Sequence, residues 1–408
     1  MTGSGRHVLF VYDGLPPYRK GGAETRLGAI AAGLAVRGWR VSWIGLAPPG
    51  APEAHCVDGI CYHKIGPEPV TRGGRRRGLL PLLRYCVRLW RCSLPDDVDC
   101  VVLGQIPWVH FFIIRWRLRT GTPILVDCWE IWGTYWRTCY GPLLGHFGRL
   151  LERAVVRKAS LLASLSGQTR RGLISHGVDE RFIVNAPNGV DHRLVDRIHV
   201  ERNDQEIAYF GRLVPHKNVD LLIAAFADVA AANPEASLVI IGDGGERFRL
   251  EALTETLGVS ARVRFLGAMP DHAVALARLK SASVCVQPST SEGGGSVAVH
   301  EANACGLPVI AFRSLNGIDP DLISEGLNGF WLDELDKVAL AQLLTALLRD
   351  RPRLARLRRT SREATAHLDW SRTVDAVDKA LGGLVEAGRR APVTPAHAPS
   401  LPQPPVTV

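Results

Sequence analysis

No run of apolar residues in this sequence approaches the ~20 needed to cross a bilayer, so no spanning helix is expected. The start, MTGSGRHVLFVYDG, has neither the basic stretch nor the cleavage site of a signal peptide, and a cytoplasmic protein is the expectation. The nine cysteines are odd in number and contain no C-x-x-C pair. That fits neither a disulfide framework nor a zinc site, so reduced thiols are expected. Acid is missing where base is dense: between Thr71 and Cys92 lie seven arginines and no carboxylate. These arginines alternate with Leu, Trp and Val instead of forming a pure charge run. Nucleic acid is therefore not the expected partner, and an anionic lipid surface fits better.

What is present describes a globular protein. The 408 residues are 46% hydrophobic and 22% charged, with a net charge of +9. That length suits two domains of roughly 180 residues each. HVLFVYDGLPP reads as a strand, followed by a glycine pair and an apolar set at Leu27, Ile30, Ala31 and Leu34 with the spacing of one helical face. Gly38 closes that helix and RVSWIGL returns as a strand, giving a strand, Gly-rich turn, helix, strand unit of the Rossmann kind. Further strands are expected at 100–104, 123–127 and 161–164. After PNGVD (187–191) a second series follows at 207–211, 238–242, 263–266, 284–287 and 308–312. The fold class is α/β, with two parallel-sheet domains joined near residue 190. An amphipathic helix follows Trp370, and the Pro-rich end, 390–408, is expected to be disordered.

Two loops are candidates for chemistry. In open α/β sheets ligands bind beyond the carboxyl ends of the strands. SEGGGSVAVHEANACGLPV (291–309) occupies such a place. Gly293, Gly294 and Gly295 would let backbone approach a ligand, Ser296 can cap the helix that follows, and Glu301 in its second turn would lean back toward the same mouth. There its carboxylate could accept hydrogen bonds from two neighbouring hydroxyls, as a ribose offers. On these residues alone, a tight turn with a half-exposed Glu fits equally well. The second loop, YFGRLVPHKN, sets Arg212 and Lys217 just after a strand with Gly211 at the turn. Two such cations can hold a diphosphate and offset the charge that grows on it as it leaves.

Together these stretches resemble the large retaining glycosyltransferase family four, which has the GT-B fold: two facing Rossmann-like domains, a cleft between them and a C-terminal crossover helix. The resemblance is carried by GGAETRLGAIAAGLAVRGWRV (21–41), ASLSGQTRRGLISHGVDERFIVNAPNGVD (163–191), YFGRLVPHKNVDLLIAAF (209–226), LVIIGDGGE (238–246) and the 291–309 stretch, in this order and spacing. It implies an acceptor domain over 1–190, a donor domain over 191–370 and a crossover helix over 371–389 that packs back on the first domain. It implies a nucleoside-diphosphate sugar donor, UDP- or GDP-linked, no cofactor, and transfer to a hydroxyl of a glycan, a lipid-linked acceptor or a small molecule. Arg212 and Lys217 would contact the diphosphate, Glu301 the ribose, and the backbone from Gly293 to Ser296 the phosphate or sugar. Gly21 and Gly22 would line the cleft from the first domain, and Glu292 would be the acid near the transferred sugar.

Two departures from the family pattern stand out. Eight residues separate Glu292 from Glu301, one more than the family usually places between its two glutamates. In VDCWEIWGTYW (126–136), relatives often carry a His just before the Glu, where this chain has Trp129. The role of that His would pass to Glu130, Asp127 or His110, or be absent. Trp129, Trp132 and Trp136 could form a stacking wall for a sugar ring or pack as core. DVD (97–99) and DPD (319–321) match the metal-binding Asp-x-Asp pair in form only, and no required metal is expected.

RRRGLLPLLRYCVRLWRC (75–92) can form a helix after Pro81 with Arg84, Arg88 and Arg91 on one side and Leu83, Val87 and Trp90 along a flank. An interfacial helix on anionic lipid and an ordinary domain helix both fit this pattern. FFIIRWRLR (111–119) adds three arginines to the same domain. Two competing functions stay open: a nucleotide-sugar epimerase of the same plan, and a catalytically silent sugar-nucleotide binding partner.

Overall fold

The computed structural model describes residues 5–19, 21–68, 79–118, 121–269 and 271–390. The Pro-rich stretch from 391 on, and the arginines between 72 and 77, lie outside the described residues.

The first sheet contains β1 (His7–Gly14), β2 (Arg40–Ala47), β3 (Ala54–Val57), β4 (Ile60–Pro67), β5 (Cys100–Gly104), β6 (Ile124–Cys128), β7 (Leu161–Ser164) and β8 (Ile183–Asn185), in the order β3-β4-β2-β1-β5-β6-β7-β8. Its strands pair in parallel except for the β3-β4 hairpin. Five helices accompany it: α1 (Gly22–Val36), α2 (Leu79–Arg91), α3 (His110–Arg117), α4 (Tyr135–Lys158) and α5 (Gly167–Ser175). The second sheet contains β9 (Glu206–Phe210), β10 (Ser237–Ile241), β11 (Val263–Gly267), β12 (Val284–Gln287), β14 (Val309–Phe312) and β16 (Gly329–Leu332), in the order β11-β10-β9-β12-β14-β16, all parallel. Beside it β13 (Ser291–Gly294) pairs with β15 (Asn316–Ile318). Helices α6 (His192–Arg197), α7 (Val219–Ala232), α8 (Arg247–Thr256), α9 (His272–Lys280), α10 (Val297–Ala304), α11 (Lys337–Arg349) and α12 (Arg351–Thr365) belong to this half.

Each sheet is covered on both faces. Val8, Phe10 and Tyr12 of β1 enter one core while Leu9 and Val11 enter another. In the second half, Leu238 and Ile240 go one way and Val239 and Ile241 the other. Burial on both faces is why these strands read as continuous apolar runs instead of alternating ones. The architecture is the expected GT-B α/β plan of two Rossmann-like halves.

The chain crosses between the halves twice, and the crossings touch. The Val190 amide donates to the Leu368 carbonyl at 2.9 Å. A Cβ on Gly189 would fall 2.3 Å from the Trp370 nitrogen, so only glycine permits this approach. Having crossed back, α13 (Trp370–Arg390) lays Val374, Val377 and Leu381 into the core of the first half, and the Trp39 indole donates to Asp378 at 2.7 Å.

The expectation of reduced thiols fails at one place. Cys56 and Cys61 face each other across the β3-β4 hairpin, with Cα atoms 4.1 Å apart, and form a disulfide. The Asp58-Gly59 turn, both residues at positive φ (51° and 77°), folds the two cysteines onto each other. DVD is structural as expected: Asp97 pairs with Arg40 and with His7 Nδ1.

Gly33 on α1 reports on the packing of α13, because its missing Cβ would lie 2.5 and 2.6 Å from the two Val374 methyls. Overpacking costs about 1–3 kcal/mol, against about 1 kcal/mol gained by replacing a mid-helix glycine. Gly33→Ala should therefore lower Tm in the wild-type background and raise it in a Val374→Ala background. The same sign in both backgrounds would show that the helices do not press together at this point.

Candidate functional site

A cleft of about 380 Å³ lies between the halves at the carboxyl ends of their strands. The first half lines it with Gly21 and Gly22 at the start of α1, Arg26 one turn later, and Trp129 and Glu130 beyond β6. The second half contributes Gly211, Arg212 and Lys217 after β9, then Glu292, Gly295 and Ser296. Most of the residues singled out from sequence therefore meet in one place.

The cation loop is held tightly. Lys217 closes a short 3₁₀ turn and is buried, and its ammonium pairs with the Glu292 carboxylate. Asn218, in the left-handed region at φ 47°, donates to the Pro288 carbonyl at 2.8 Å and ties this loop to the end of β12. Arg212 is exposed on the same turn, and the Tyr209 hydroxyl donates to its carbonyl at 2.8 Å. Gly242 and Gly244 of the GDGGE stretch lie beneath. Their Cβ atoms would come within 1.9 Å of the Gly211 oxygen and 2.1 Å of the Leu213 oxygen.

Two of the three glycines also serve close packing. A Cβ on Gly295 would lie 2.2 Å from Leu165 Cδ1, and one on Gly294 2.9 Å from Ser166 Oγ. Gly294 and Gly295 let the first half lie directly against the 291–296 loop; Gly294 is not among the cleft-lining residues, and Gly293 sits within β13. Ser296 occupies the N-cap of α10, but its side chain makes no capping bond. The strand that carries Glu292 is irregular. Ser291 pairs with Asn316 and Gly294 with Ile318, so three steps on β13 match two on β15. That bulge leaves Glu292 facing the cleft. Glu301, buried in the second turn of α10, does not line the cleft; its Oε1 lies 2.8 Å from His272 Nε2.

DPD closes the seam between the halves. Asp319, fully buried, accepts from the Gln168 amide at 2.6 Å, and Arg171 reaches Asp319 and Asp321 at 3.3 and 2.9 Å. The Asp319 amide donates to the Gly294 carbonyl at 2.9 Å, which ties this link to the glycine loop.

On the opposite wall, the candidates for the missing His separate cleanly. His110 is fully buried, bonded to the Gly104 carbonyl and the Tyr85 hydroxyl, and burial pushes its pKa down to about 3. It cannot serve the cleft. Asp127 is fully buried and committed to Arg26, whose guanidinium also donates to Asn188, and to the Trp129 indole at 2.7 Å. That leaves Glu130. Burial lifts its carboxyl to about 7, and the Glu152 and Glu292 carboxylates push it the same way. The tryptophans divide as well: Trp129 lines the cleft with its ring edge-on to Tyr12, whereas Trp132 and Trp136 pack together with ring centroids 4.7 Å apart.

Two supports escaped the sequence reading. Gln105, buried just past β5, accepts from the amides of Trp129 and Glu130 at 2.5 and 3.0 Å. Glu152, fully buried in α4, accepts from the Trp132 and Gly133 amides and the Trp136 indole, and pairs with His176. Neither stands in a motif, and only the fold brings them to this loop.

Comparison with known proteins places these features in a family. Residues 194–364 match glycosyl transferases group 1, and residues 21–189 match the glycosyl transferase 4-like domain. A D-inositol 3-phosphate glycosyltransferase of Segniliparus rotundus is 32% identical over 84% of this chain and 79% of its own. The chain belongs to the group 1 glycosyltransferases. Among solved structures, sucrose-phosphate synthase of Thermosynechococcus elongatus shares the fold of this glycosyltransferase with a TM-score of 0.78 at 20% identity, covering 94% of this chain and 100% of that one. Anabaena HepE, solved with UDP and glucose, does so with a TM-score of 0.71 at 20% identity, covering 92% and 99%.

The raised Glu130 carboxyl carries a stability signature. Its folded value near 7 exceeds the ordinary 4.5, so the penalty is absent below the unfolded value and fully present once pH passes 7. Glu130→Gln should raise Tm at pH 8.5 and leave it unchanged at pH 4. An equal change at both pH values would contradict the raised carboxyl.

Proposed function

We propose that this glycosyltransferase moves a sugar from a nucleoside-diphosphate sugar, UDP- or GDP-linked, to a hydroxyl of a glycan, glycolipid or small-molecule acceptor with retention at the anomeric carbon. The observation that carries this reading is the pair of buried Lys217 with half-buried Glu292 beside exposed Arg212, facing Trp129 and Glu130 across a cleft between two α/β halves. Arg212 and Lys217 offset the charge growing on the departing diphosphate, which is where fixed cations act most strongly. Their charge supplies what a metal would otherwise provide, and transfer proceeds without one. The acceptor oxygen bonds the anomeric carbon on the face that the diphosphate leaves, and its proton passes to the departing phosphate oxygen. Glu292, released from Lys217, accepts from a sugar hydroxyl. Trp129 packs on the sugar ring, and Glu130 in its ionised form orients the acceptor or sugar. Glu301 accepts from the ribose hydroxyls once half-exposed His272 swings outward. The UDP and glucose held by Anabaena HepE support a UDP-linked donor.

The same reading attaches the enzyme peripherally to an anionic membrane face through α2. Arg84 and Arg91 are exposed there beside Leu83, Val87 and Trp90. Among the described residues no helix is long and apolar enough to cross a membrane.

Calorimetric titration of UDP, GDP, ADP and dTDP into the wild type and Glu301→Ala tests the donor assignment. One nucleotide should bind selectively and weaken about tenfold in the variant, a loss of about 1.4 kcal/mol. In the same series Lys217→Ala should lower turnover about 100-fold while affecting nucleotide affinity far less, because its contact strengthens as the diphosphate leaves. Failure of all four nucleotides to bind would remove the basis for the reading.

A further inference from the structure

The first half contains a second cavity that the transfer reaction as described does not use. It has a volume of about 250 Å³ and is walled by Leu82 of α2, Trp108 after β5, and Trp136, Tyr140, Leu144 and Leu151 of α4. This lining is overwhelmingly apolar, and the volume falls below the range of about 300–1,000 Å³ usual for compact drug-sized ligands. A narrow aliphatic chain matches both properties.

The surface around the opening is apolar in a way that folding does not explain. Where α4 breaks at Gly141 (φ 76°) before Pro142, it turns Leu143, Phe147 and Leu150 outward, 78%, 67% and 49% exposed. Across the opening, α2 exposes Leu80 and Leu83, and its Trp90 stacks on the exposed Trp116 of α3 with ring centroids 4.6 Å apart. Exposed apolar side chains on the helices that wall a cavity mark an interaction site. Its rim is cationic. Arg84, Arg91 and Arg115 are exposed on α2 and α3, whereas the single carboxylate in all of α2, α3 and α4 is Glu152, which is buried. No exposed acid on these helices opposes an anionic surface.

The inner end of the cavity points toward the chemistry. Asp13, at the carboxyl end of β1, lines it, and Arg19 lies 3.9 Å from Asp13 and 2.9 Å from Glu24 in the first turn of α1, the helix whose Gly21 and Gly22 begin at the cleft. We propose that this cavity holds an aliphatic chain of an anionic membrane lipid that is itself the acceptor, with α2 and the outward turn of α4 seated on the bilayer. The proposal rests on the glycosyltransferase reading of the cleft and specifies its acceptor class. Apolar contact supplies attraction that charge alone does not, so binding should survive salt that would release a purely electrostatic contact.

The test uses vesicles of phosphatidylglycerol with brominated acyl chains, which quench tryptophans that reach the chain region, and phosphatidylcholine vesicles as the uncharged comparison. Wild-type tryptophan emission should be quenched by the anionic vesicles and not by the neutral ones. Phe147→Asp, on an exposed position, and Leu144→Asp, at the cavity, should each lose the quenching while keeping Tm and nucleotide binding. Quenching absent from the wild type, or unchanged in both variants, overturns the proposal even if nucleotide binds. Quenching that behaves as expected in a protein that binds no nucleotide upholds the chain site and instead sinks the donor assignment.

Discussion

The contact between Gly295 and Leu165 sets the dimensions of everything else. With no Cβ on Gly294 or Gly295, the segment between β7 and α5 lies on the 291–296 loop at a distance that any other residue would forbid. That approach brings Asp319 under the Gln168 amide, and the β13-β15 pair joins Asp319 to the strand that holds Glu292. The halves meet through the same few residues that present the candidate donor groups. A ligand that moves Glu292 is thereby linked to the seam, and the glycines serve close approach more than freedom of movement.

The charged side chains of the cleft differ in how firmly they are matched. Arg26 is matched by Asp127 with fork geometry in full burial, which fixes the wall that carries Trp129. Among the described residues Lys217 is matched by Glu292 alone, on a strand with a bulge. Removing one partner from a buried pair leaves a costly uncompensated charge, whereas exchanging one anion for another does not. On the proposed reading Lys217 changes partners in a way that Arg26 cannot, and this difference would separate a binding cation from a structural one.

Much of this was legible in the sequence. The alternation of strands and helices shows in the apolar runs and glycine stops, and Arg212, Lys217 and Glu292 do converge in the cleft. What was not legible depended on distances between remote segments. The purpose of Gly294 and Gly295 is set by residues about 130 positions away, and Gln105 and Glu152 gain meaning only from the loop they hold. His110, a reasonable substitute for the missing His on sequence alone, is removed by burial that no local pattern shows. The β3-β4 hairpin was readable and went unread: Asp58-Gly59 between two β-prone stretches is a strong turn signal, and it would have placed Cys56 opposite Cys61.

The central claim is that the Lys217–Glu292 pair marks where the diphosphate sits. A crystal structure with the tightest-binding nucleoside diphosphate tests it most directly. The account predicts diphosphate oxygens within hydrogen-bond distance of both Arg212 and Lys217, with Glu292 displaced from the ammonium. A diphosphate bound elsewhere while Lys217 and Glu292 remain paired would contradict it.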